Sequence, residues 1–592
     1  MTTVGEPLVA PLPAATPVGV ARPALRLREL ALVAAGGMAL AIVLTWPVAA
    51  HLGTNIAGDL GDPVRTAWQV AWEGHALTLS SGTLFNTNAF WPLSTSLAFS
   101  DSLLGYAPAG LIGNQGVAAA VARYDVLFLF AYALAFVGPY LLARELGAGR
   151  AAAVVAGVAF AYAPFRATMN GHLHVLSSGG IPLSLFLLVR GSRRRNAWLV
   201  LAGWVVVAWQ LSLGFTLGLQ LAYLLLVLAV VAVVLWVRRG RPSPGRWLVV
   251  ASAAGVLLAT AVTVYEARPY LRVHHDYPSA RRTNFDVSLY SAPPKAFAAA
   301  PAESRLWGAA TASVRNGLRS RNEDTLFPGL AILGLAVLGV GWGRCPRALR
   351  IGLGTGVVVC AVLSLGFGMP PHGDLTYRLL YRFAPGWDAV RTPGRIVTLT
   401  SLGLALLVAA GADVALGRAM RPLPVRWQRT GALAVGSLLV AAVVVDGAGR
   451  VGDPRVPLPP PGEARLAPPQ LHLPTNGSYD RLYQLWSTDG FPDIVNGVST
   501  FDLPSLDSVR GVMRTFPDAQ SVLFLRQHRI RTVVLHTNLK RAGLPPSLRN
   551  PPLPVDPAAA AAKPIRGLLL RRHSLPGAVV YTVLRIPRGR AS

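Results

Sequence analysis

Charged residues are scarce in this chain of 592 residues: 14% are Asp, Glu, Lys or Arg, and 52% are hydrophobic. Soluble domains carry about 25% charged residues, so the composition excludes an ordinary soluble fold. Many apolar runs approach the ~20 residues that span a bilayer. The net charge of +28 does not indicate nucleic-acid binding, because basic residues of membrane proteins collect in loops on one side of the membrane.

Cysteine is nearly absent as well, with two residues in the whole chain. Cys345 lies in a short Arg-rich connection and Cys360 inside an apolar run, which argues against a disulfide framework in the outer segments. Residues 1–29 are rich in Pro, Ala and Val. They are predicted to form a disordered cytoplasmic tail and not a cleavable signal peptide, because the first apolar run begins only near Leu30.

The apolar runs predict an all-α polytopic membrane protein with about 11 transmembrane helices between residues 30 and 447. Short connections that contain arginine alternate with long ones, so the N-terminus is predicted to be cytoplasmic. The long connections 51–122 and 268–325 then lie on the extracytoplasmic face of a bacterial plasma membrane. The runs are 30–50, 123–143, 151–165, 173–190, 197–213, 214–237, 247–267, 326–343, 348–368, 394–416 and 430–447.

The composition changes after the last apolar run. Residues 448–475 are Pro-rich and are predicted to be a linker. Residues 476–592 are predicted to form a small extracytoplasmic soluble domain of α/β or α+β type. Helical spacing covers 507–515 and 517–528, whereas 531–536 and 578–586 have the pattern of strands.

An acidic loop, Gly58–Pro63, follows the first apolar run and carries Asp59 and Asp62. From Pro63 onward, apolar and aromatic residues recur at helical spacing and predict a helix in the membrane interface. Asp62 is also well placed to be the N-cap of that helix, whereas Asp59 has no such local role. Asp101 precedes a second interfacial stretch, 102–113. It is likewise either an N-cap of that stretch or a functional carboxylate.

Other ionisable residues lie where outer loops meet apolar runs. Such residues often mark substrate paths, although Arg and His at helix ends also extend to the interface for solvation alone. Glu266 has Arg268 and Arg272 as nearby ion-pair partners. The arginines among these residues suit phosphate, because a guanidinium donates two parallel hydrogen bonds. The candidates are Arg166, His172, His174, Glu266, Arg391 and Arg395.

The sequence resembles the GT-C superfamily of membrane glycosyltransferases. The likeness is to a bacterial group with a GDxxDP loop, here Gly58–Pro63, a YAPFR turn with an HLH sequence, here 162–174, and an RTPGR entry, here Arg391–Arg395. The resemblance implies transfer of a sugar from a polyprenyl-phosphate carrier to an acceptor on the outer face. It also implies that an acid of the first loop acts as base or metal ligand, a position that Asp59 and Asp62 match. The second acid that many members carry in the second outer loop is missing between Phe160 and Leu187.

The function that the resemblance implies is that of an inverting membrane glycosyltransferase. Asp59 or Asp62 would take the proton of the acceptor hydroxyl, and arginines would stabilise the leaving phosphate. Asp59 and Asp62 are also candidate ligands for Mg²⁺ or Mn²⁺. The expected partners are a polyprenyl-phosphate-linked sugar, a glycan, lipid or protein acceptor, and membrane lipids, with no nucleic acid. The alternatives are a non-catalytic transporter or flippase of lipid-linked glycans, and an envelope assembly scaffold. The residues expected to contact substrate or phosphate are Arg166, His172, His174, Arg391, Arg395, Asp101 and Glu266.

Overall fold

The computed structural model describes residues 25–79, 83–241, 243, 245–539 and 555–584. Every apolar run of the sequence coincides with a helix. Within these described ranges, eight helices are long and apolar enough to cross a membrane, and the bent pair Arg150–Ala161 and Pro164–Gly171 makes a ninth if it is counted as one span. Ala197–Leu211 and Leu330–Trp342 are shorter apolar helices. The predicted class, a helical multi-pass membrane protein, is confirmed.

The membrane region consists of long helices joined by short turns, with several small helices in its longer connections. The long helices are α1 (Leu27–Leu44), α4 (Val117–Glu145), α5 (Arg150–Ala161), α7 (Gly180–Arg194), α8 (Ala197–Leu211), α9 (Phe215–Arg238), α10 (Arg246–Asp276), α14 (Leu330–Trp342), α15 (Arg347–Ser364), α17 (Val397–Met420) and α18 (Val425–Gly447). The connections contain α2 (Asp62–Leu79), α3 (Ala107–Gly110), α6 (Leu173–Leu176), α11 (Asn284–Leu289), α12 (Trp307–Ala310), α13 (Ala312–Asn316) and α16 (Tyr377–Phe383).

Several helices expose apolar side chains over most of their length. Only 22% of the apolar window of α9, 17% of that of α10 and 6% of that of α15 is buried inside the protein. Leu226, Val230 and Val233 of α9 are 59%, 57% and 56% exposed. Contiguous apolar surface of this kind is unfavourable in water, so these helices face lipid.

Helices α4 and α17 form the interior of the bundle, with 78% and 67% of their apolar windows buried. Helix α17 meets α14 backbone to backbone. A Cβ atom on Gly339 would lie 2.0 Å from the carbonyl oxygen of Leu407, and one on Gly411 would lie 1.9 Å from that of Leu335. Small residues permit this approach, which is a common way to pack membrane helices.

Helix α2, which follows the acidic loop and is predicted to lie in the membrane interface, is buried in the protein along most of its length. Trp68 and Trp72 are 3% and 5% exposed, and α2 packs against α3 and α4. The indole of Trp68 donates a hydrogen bond to Asn88 Oδ1 at 3.1 Å. Aromatic residues at helical spacing fit a helix buried by other protein segments as well as one exposed at the membrane interface.

The C-terminal region contains a four-stranded sheet in the order β1-β2-β4-β3. Strand β1 pairs with β2 in parallel, and β4 pairs with β2 and β3 in antiparallel fashion. Strand β1 lies inside the Pro-rich segment predicted as a linker, so the sheet begins before residue 476. The strands are β1 (Gln470–Leu473), β2 (Thr532–His536), β3 (Leu570–Leu575) and β4 (Ala578–Val583), with helices α19 (Gly477–Trp486), α20 (Pro504–Val512), α21 (Ala519–Gln527) and Pro557–Ala562.

Candidate active site

The acidic loop is held between the first membrane helices and the start of the C-terminal region. Gly58 adopts a positive φ of 101°, which favours glycine, and its N–H donates to the carbonyl of Gly452 at 2.8 Å. A Cβ atom at Gly58 would lie 2.8 Å from the carbonyl oxygen of Asn170. On the other side, the N–H of Ala57 donates to Asp125 Oδ1 at 2.9 Å. The first glycine of the GDxxDP pattern is therefore required by a close backbone approach.

Asp59 points outward from this loop. Its Oδ1 accepts a hydrogen bond from the Gly61 N–H at 2.6 Å, and the side chain is exposed. The other carboxylate oxygen faces Gly171, where a Cβ atom would lie 3.3 Å away. Asp59 is thus an accessible carboxylate next to the turn that carries the two histidines.

Asp62 begins α2, and its carboxylate faces residues from two distant segments. Oδ1 lies 3.4 Å from Arg481 Nη2 of α19, and Oδ2 lies 3.7 Å from His172 Nε2. Burial opposes ionisation of Asp62, but Arg65 and Arg481 hold the pKa of its carboxyl well below the usual range. Among the described residues, no backbone N–H of α2 donates to this side chain, so it does not serve as an N-cap.

Polar contacts continue from Asp62 across the site to Asp101. His172 Nε2 also lies 3.9 Å from Glu323 Oε1. Arg395 donates two hydrogen bonds to Glu323: Nη2 donates to Oε1 at 2.6 Å, and Nε donates to Oε2 at 3.2 Å. Arg395 Nη1 is 2.9 Å from His174 Nε2, which in turn lies 3.9 Å from Asp101 Oδ2.

Arg391 lies beside this cluster and keeps its donors free. Its guanidinium stacks over the Tyr290 ring at 4.8 Å, and it donates no hydrogen bond to any residue in the described part of the chain. Burial and the positive charge of Arg391 together lower the pKa of Arg282. Asp286 interacts electrostatically with both guanidinium groups, but the hydrogen-bond donors of Arg391 stay available for an anion.

Two predicted site residues lie elsewhere. Arg166 is buried and donates to Ser178 Oγ at 2.8 Å and to the Leu176 carbonyl at 2.9 Å. It lines a separate cavity of about 260 Å³ together with Tyr132 and Tyr162. Glu266 interacts electrostatically with Glu73 of α2 and takes no part in the contacts between Asp62 and Asp101.

Three residues of the cluster were missed in the sequence. Arg65 lies three positions after Asp62, on the same face of a helix, so the spacing alone could have found it. Glu323 lies shortly before the apolar run 326–343 and was overlooked in a loop without periodicity. Arg481 gives no sequence signal, because it reaches the site from a separate domain. Glu323 also supplies a second carboxylate, which the second outer loop lacks.

The acidic loop was a candidate site for Mg²⁺ or Mn²⁺. Among the described residues, three or more His, Cys, Asp or Glu ligand atoms converge within 4.8 Å of one another only at Glu463, His472 and His536. Asp59 and Asp62 belong to no such group in that part of the chain, although His172 Nε2 lies 3.7 Å from Asp62 Oδ2. The metal-ligand role of Asp59 and Asp62 stays a prediction, whereas Glu463, His472 and His536 place three ligand atoms close enough together to hold an ion.

Comparison with known proteins gives matches only among solved structures, since no protein-family model and no curated protein matches the chain. The arabinofuranosyltransferase AftD from mycobacteria is similar at 18% identity with a TM-score of 0.54, over 95% of this chain and 42% of that chain. The Archaeoglobus fulgidus oligosaccharyltransferase matches at 13% identity and a TM-score of 0.43, over 86% of this chain and 69% of that one. ArnT from Cupriavidus metallidurans matches at 14% identity with a TM-score of 0.35, over 94% of this chain and 98% of that chain.

The likeness to the arabinofuranosyltransferase extends over almost the whole of this chain. The chain spans less than half the length of that protein, 42%, and at 18% identity the likeness is one of fold. The predicted resemblance is confirmed at the level of the fold: this chain shares its fold with the mycobacterial arabinofuranosyltransferase AftD over 95% of its length.

Proposed function

We propose that this chain is a membrane glycosyltransferase that moves a sugar from a polyprenyl-phosphate donor to a cell-envelope acceptor on the outer face of a bacterial plasma membrane. The observation that carries the proposal is the meeting of Asp62 with His172, Arg65 and Arg481. These residues come from the first loop, the second loop and the C-terminal region. Ionisable side chains brought together at the ends of membrane helices are typical of a substrate site.

The carboxylate of Asp62 is the proposed base. In the transfer, the acceptor oxygen bonds to the anomeric carbon, the bond from that carbon to the donor phosphate oxygen breaks, and polyprenyl phosphate leaves. The hydroxyl proton passes to the carboxylate. A single displacement of this kind inverts the anomeric configuration. Asp62 remains ionised over a wide pH range because Arg65 and Arg481 lower its pKa against the effect of burial.

Arginine side chains stabilise the negative charge that develops on the leaving phosphate. Arg391 has free donors and lies beside Arg282, and Arg65 donates no hydrogen bond to another residue in the described ranges. Arg395 is different, since Glu323 and His174 occupy its donors. We therefore assign the phosphate to Arg391 and Arg65, and we assign Arg395 the task of orienting His174.

The test is transfer by the full chain in liposomes that contain polyprenyl-phospho sugars, with an arabinofuranosyl donor included because of the fold neighbour. Asp62→Asn is expected to lower turnover by about 10²–10⁴-fold, the usual contribution of a general base. Asp59→Asn is expected to have a smaller effect. The control is Asp276→Asn, an exposed carboxylate at the end of α10 that contacts only His275.

Unchanged transfer by Asp62→Asn would show that the base is misassigned. A wild-type chain that binds or moves the lipid donor without breaking its glycosidic bond would overturn the enzymatic proposal and favour a transporter. Addition and removal of Mg²⁺ or Mn²⁺ in the same assay decides whether the carboxylates act with an ion. If they act alone, the rate does not depend on these ions.

A further inference from the structure

A buried group of three metal-ligand side chains lies in the C-terminal region, away from the acidic loop. His472 is in β1, His536 ends β2, and Glu463 is in a short 3-10 turn, Glu463–Arg465, before the sheet. Their side chains are 2%, 2% and 6% exposed. Strand register explains why the histidines meet: His472 pairs with Val534, and residues two apart in a strand share a face.

The distances in this group leave room for an ion. His472 Nδ1 and His536 Nε2 are 3.0 Å apart, and the carboxylate oxygens of Glu463 lie 3.7 Å from the first nitrogen and 3.9 Å from the second. A tetrahedral ion with bonds of about 2.0–2.1 Å separates its ligand atoms by roughly 3.3 Å. The three observed separations bracket that value.

The carboxylate of Glu463 has no adequate partner in the protein. Its Oε2 atom is buried and accepts no hydrogen bond from any described residue, and 3.7–3.9 Å from the imidazoles is too long for one. A buried carboxylate without a partner is costly. A hydrogen bond between the two histidines leaves this cost in place, whereas a cation between the three groups removes it.

A cavity of about 140 Å³ adjoins the group and is lined by Glu463, His472, Trp486 and Asp489 among others. An ion bound by the three side chains would therefore keep one coordination position open toward this space. Three protein ligands plus a water molecule or another small oxygen ligand complete a four-coordinate site.

We propose that Glu463, His472 and His536 bind a divalent transition-metal ion, with Zn²⁺ as the expected ion. Two imidazoles and one carboxylate suit Zn²⁺ and its neighbours in the first transition row, whereas Mg²⁺ and Ca²⁺ prefer all-oxygen ligand sets. The site is separate from the proposed transfer reaction. Its ion would tie the segment that leads out of the membrane region to two adjacent strands of the sheet.

The experiment measures zinc in the full-length protein, purified in detergent, stripped with a chelator and reloaded with Zn²⁺ alone. We expect close to one equivalent by elemental analysis, and visible absorption bands of four-coordinate Co²⁺ when cobalt is added instead. His472→Gln, His536→Gln and Glu463→Gln are each expected to weaken metal affinity at least tenfold. The control is His573→Gln, an exposed histidine on β3 of the same sheet.

Three results would overturn the proposal: no stoichiometric metal in the reloaded wild-type protein, full retention of metal by His472→Gln, or an equal loss of metal in His573→Gln. Since His472→Gln can fail to fold, gel filtration accompanies each measurement. The cobalt spectrum of the wild-type chain provides a result that depends on no variant, and a spectrum of six-coordinate Co²⁺ in water contradicts the site.

Discussion

Two carboxylates of the candidate site both face arginine, yet they have different surroundings. Glu323 is 8% exposed and is bound by Arg395 through two short hydrogen bonds. Asp62 is 35% exposed, and its nearest cation, Arg481, is 3.4 Å away. The two hydrogen bonds from Arg395 favour the ionised form of Glu323 and make it a weaker base, so we expect Glu323 to position Arg395 and Asp62 to remain available for chemistry.

Glu323→Ala is expected to destabilise the protein by about 3–5 kcal/mol, because it leaves the buried guanidinium of Arg395 without its carboxylate. The thermal midpoint of the detergent-solubilised chain should fall accordingly. Glu323→Ala combined with Arg395→Met should recover part of the loss, since no charge then stays buried without a partner. Glu303→Ala, in the same loop but with no ion pair among the described residues, is the control.

The pH dependence of this pair has a definite sign. Burial opposes ionisation of Glu323, but Arg395 lowers its pKa, so the stabilisation is fully present above the unfolded value of about 4.3 and disappears as the pH falls through the lower folded value. The difference in midpoint between wild type and Glu323→Ala should therefore be constant from about pH 6 to pH 8. A difference that decreases across that interval would contradict the assigned pairing.

At the level of residues, the sequence predicted His172, His174 and Arg395 as candidate site residues, because ionisable groups at the ends of membrane helices are uncommon and costly. The same reasoning selected Arg166, whose guanidinium donates to Ser178 and a backbone carbonyl, while its buried Nε has no hydrogen-bond partner among the described residues. The free-energy cost of placing an ionisable group at the end of a membrane helix does not by itself distinguish a structural role from a functional one. The partners of Asp62 and Arg395 come from segments far away in the chain, and such pairings leave no local pattern.

At the level of elements, the pairing of α14 with α17 determines how Glu323 meets Arg395. Glu323 lies shortly before α14 begins at Leu330, and Arg395 lies in the turn Pro393–Ile396 that leads into α17. The close approach at Gly339 and Gly411 fixes the relative position of the two helices. Packing inside the bundle is thereby coupled to the geometry of the ion pair.

Gly339→Ala is expected to force α14 and α17 apart, because its Cβ atom would lie 2.0 Å from a backbone carbonyl that has no freedom to move aside. Overpacking of this kind typically costs about 1–3 kcal/mol, which a lower thermal midpoint would report. Transfer activity should fall as well. Gly341→Ala in the same helix is the matched control, since nothing lies within 4 Å of its Cβ position. Equal effects of the two substitutions would contradict the role of the Gly339 contact.

Hydrophobic length predicted the membrane helices well, because a bilayer demands long apolar segments with internal hydrogen bonds. Strand β1 was missed in a segment that contains many prolines, since its four residues, Gln470–Leu473, are stabilised by β2 and not by local propensity. Loop 268–325 gave no periodic signal, and its helices α11, α12 and α13 contain six, four and five residues. Helices this short depend on tertiary contacts.

At the level of the whole molecule, the C-terminal region is joined to the acidic loop by many hydrogen bonds. The N–H groups of Ile56 and Gly58 donate to the carbonyls of Pro454 and Gly452 at 3.0 and 2.8 Å. The side-chain amide of Asn88 donates a hydrogen bond to Ser487 Oγ at 2.9 Å. Together with Arg481, these contacts make the C-terminal region part of the candidate site, which explains why the membrane region alone, read from sequence, gave an incomplete set of residues.

Arg481→Met tests this dependence, because it removes a cation that favours the ionised form of Asp62 without changing the membrane region. Loss of this charge raises the pKa of Asp62, so the acidic limb of the kcat/KM profile should move to higher pH. The rate at neutral pH should fall by up to about fivefold, the factor that corresponds to the loss of a partly exposed ion pair worth up to ~1 kcal/mol. Arg514→Met, an exposed arginine of the same region, should leave the profile unchanged. A uniform loss of rate with no movement of the limb would mean that Arg481 supports the structure and does not tune the Asp62 carboxylate.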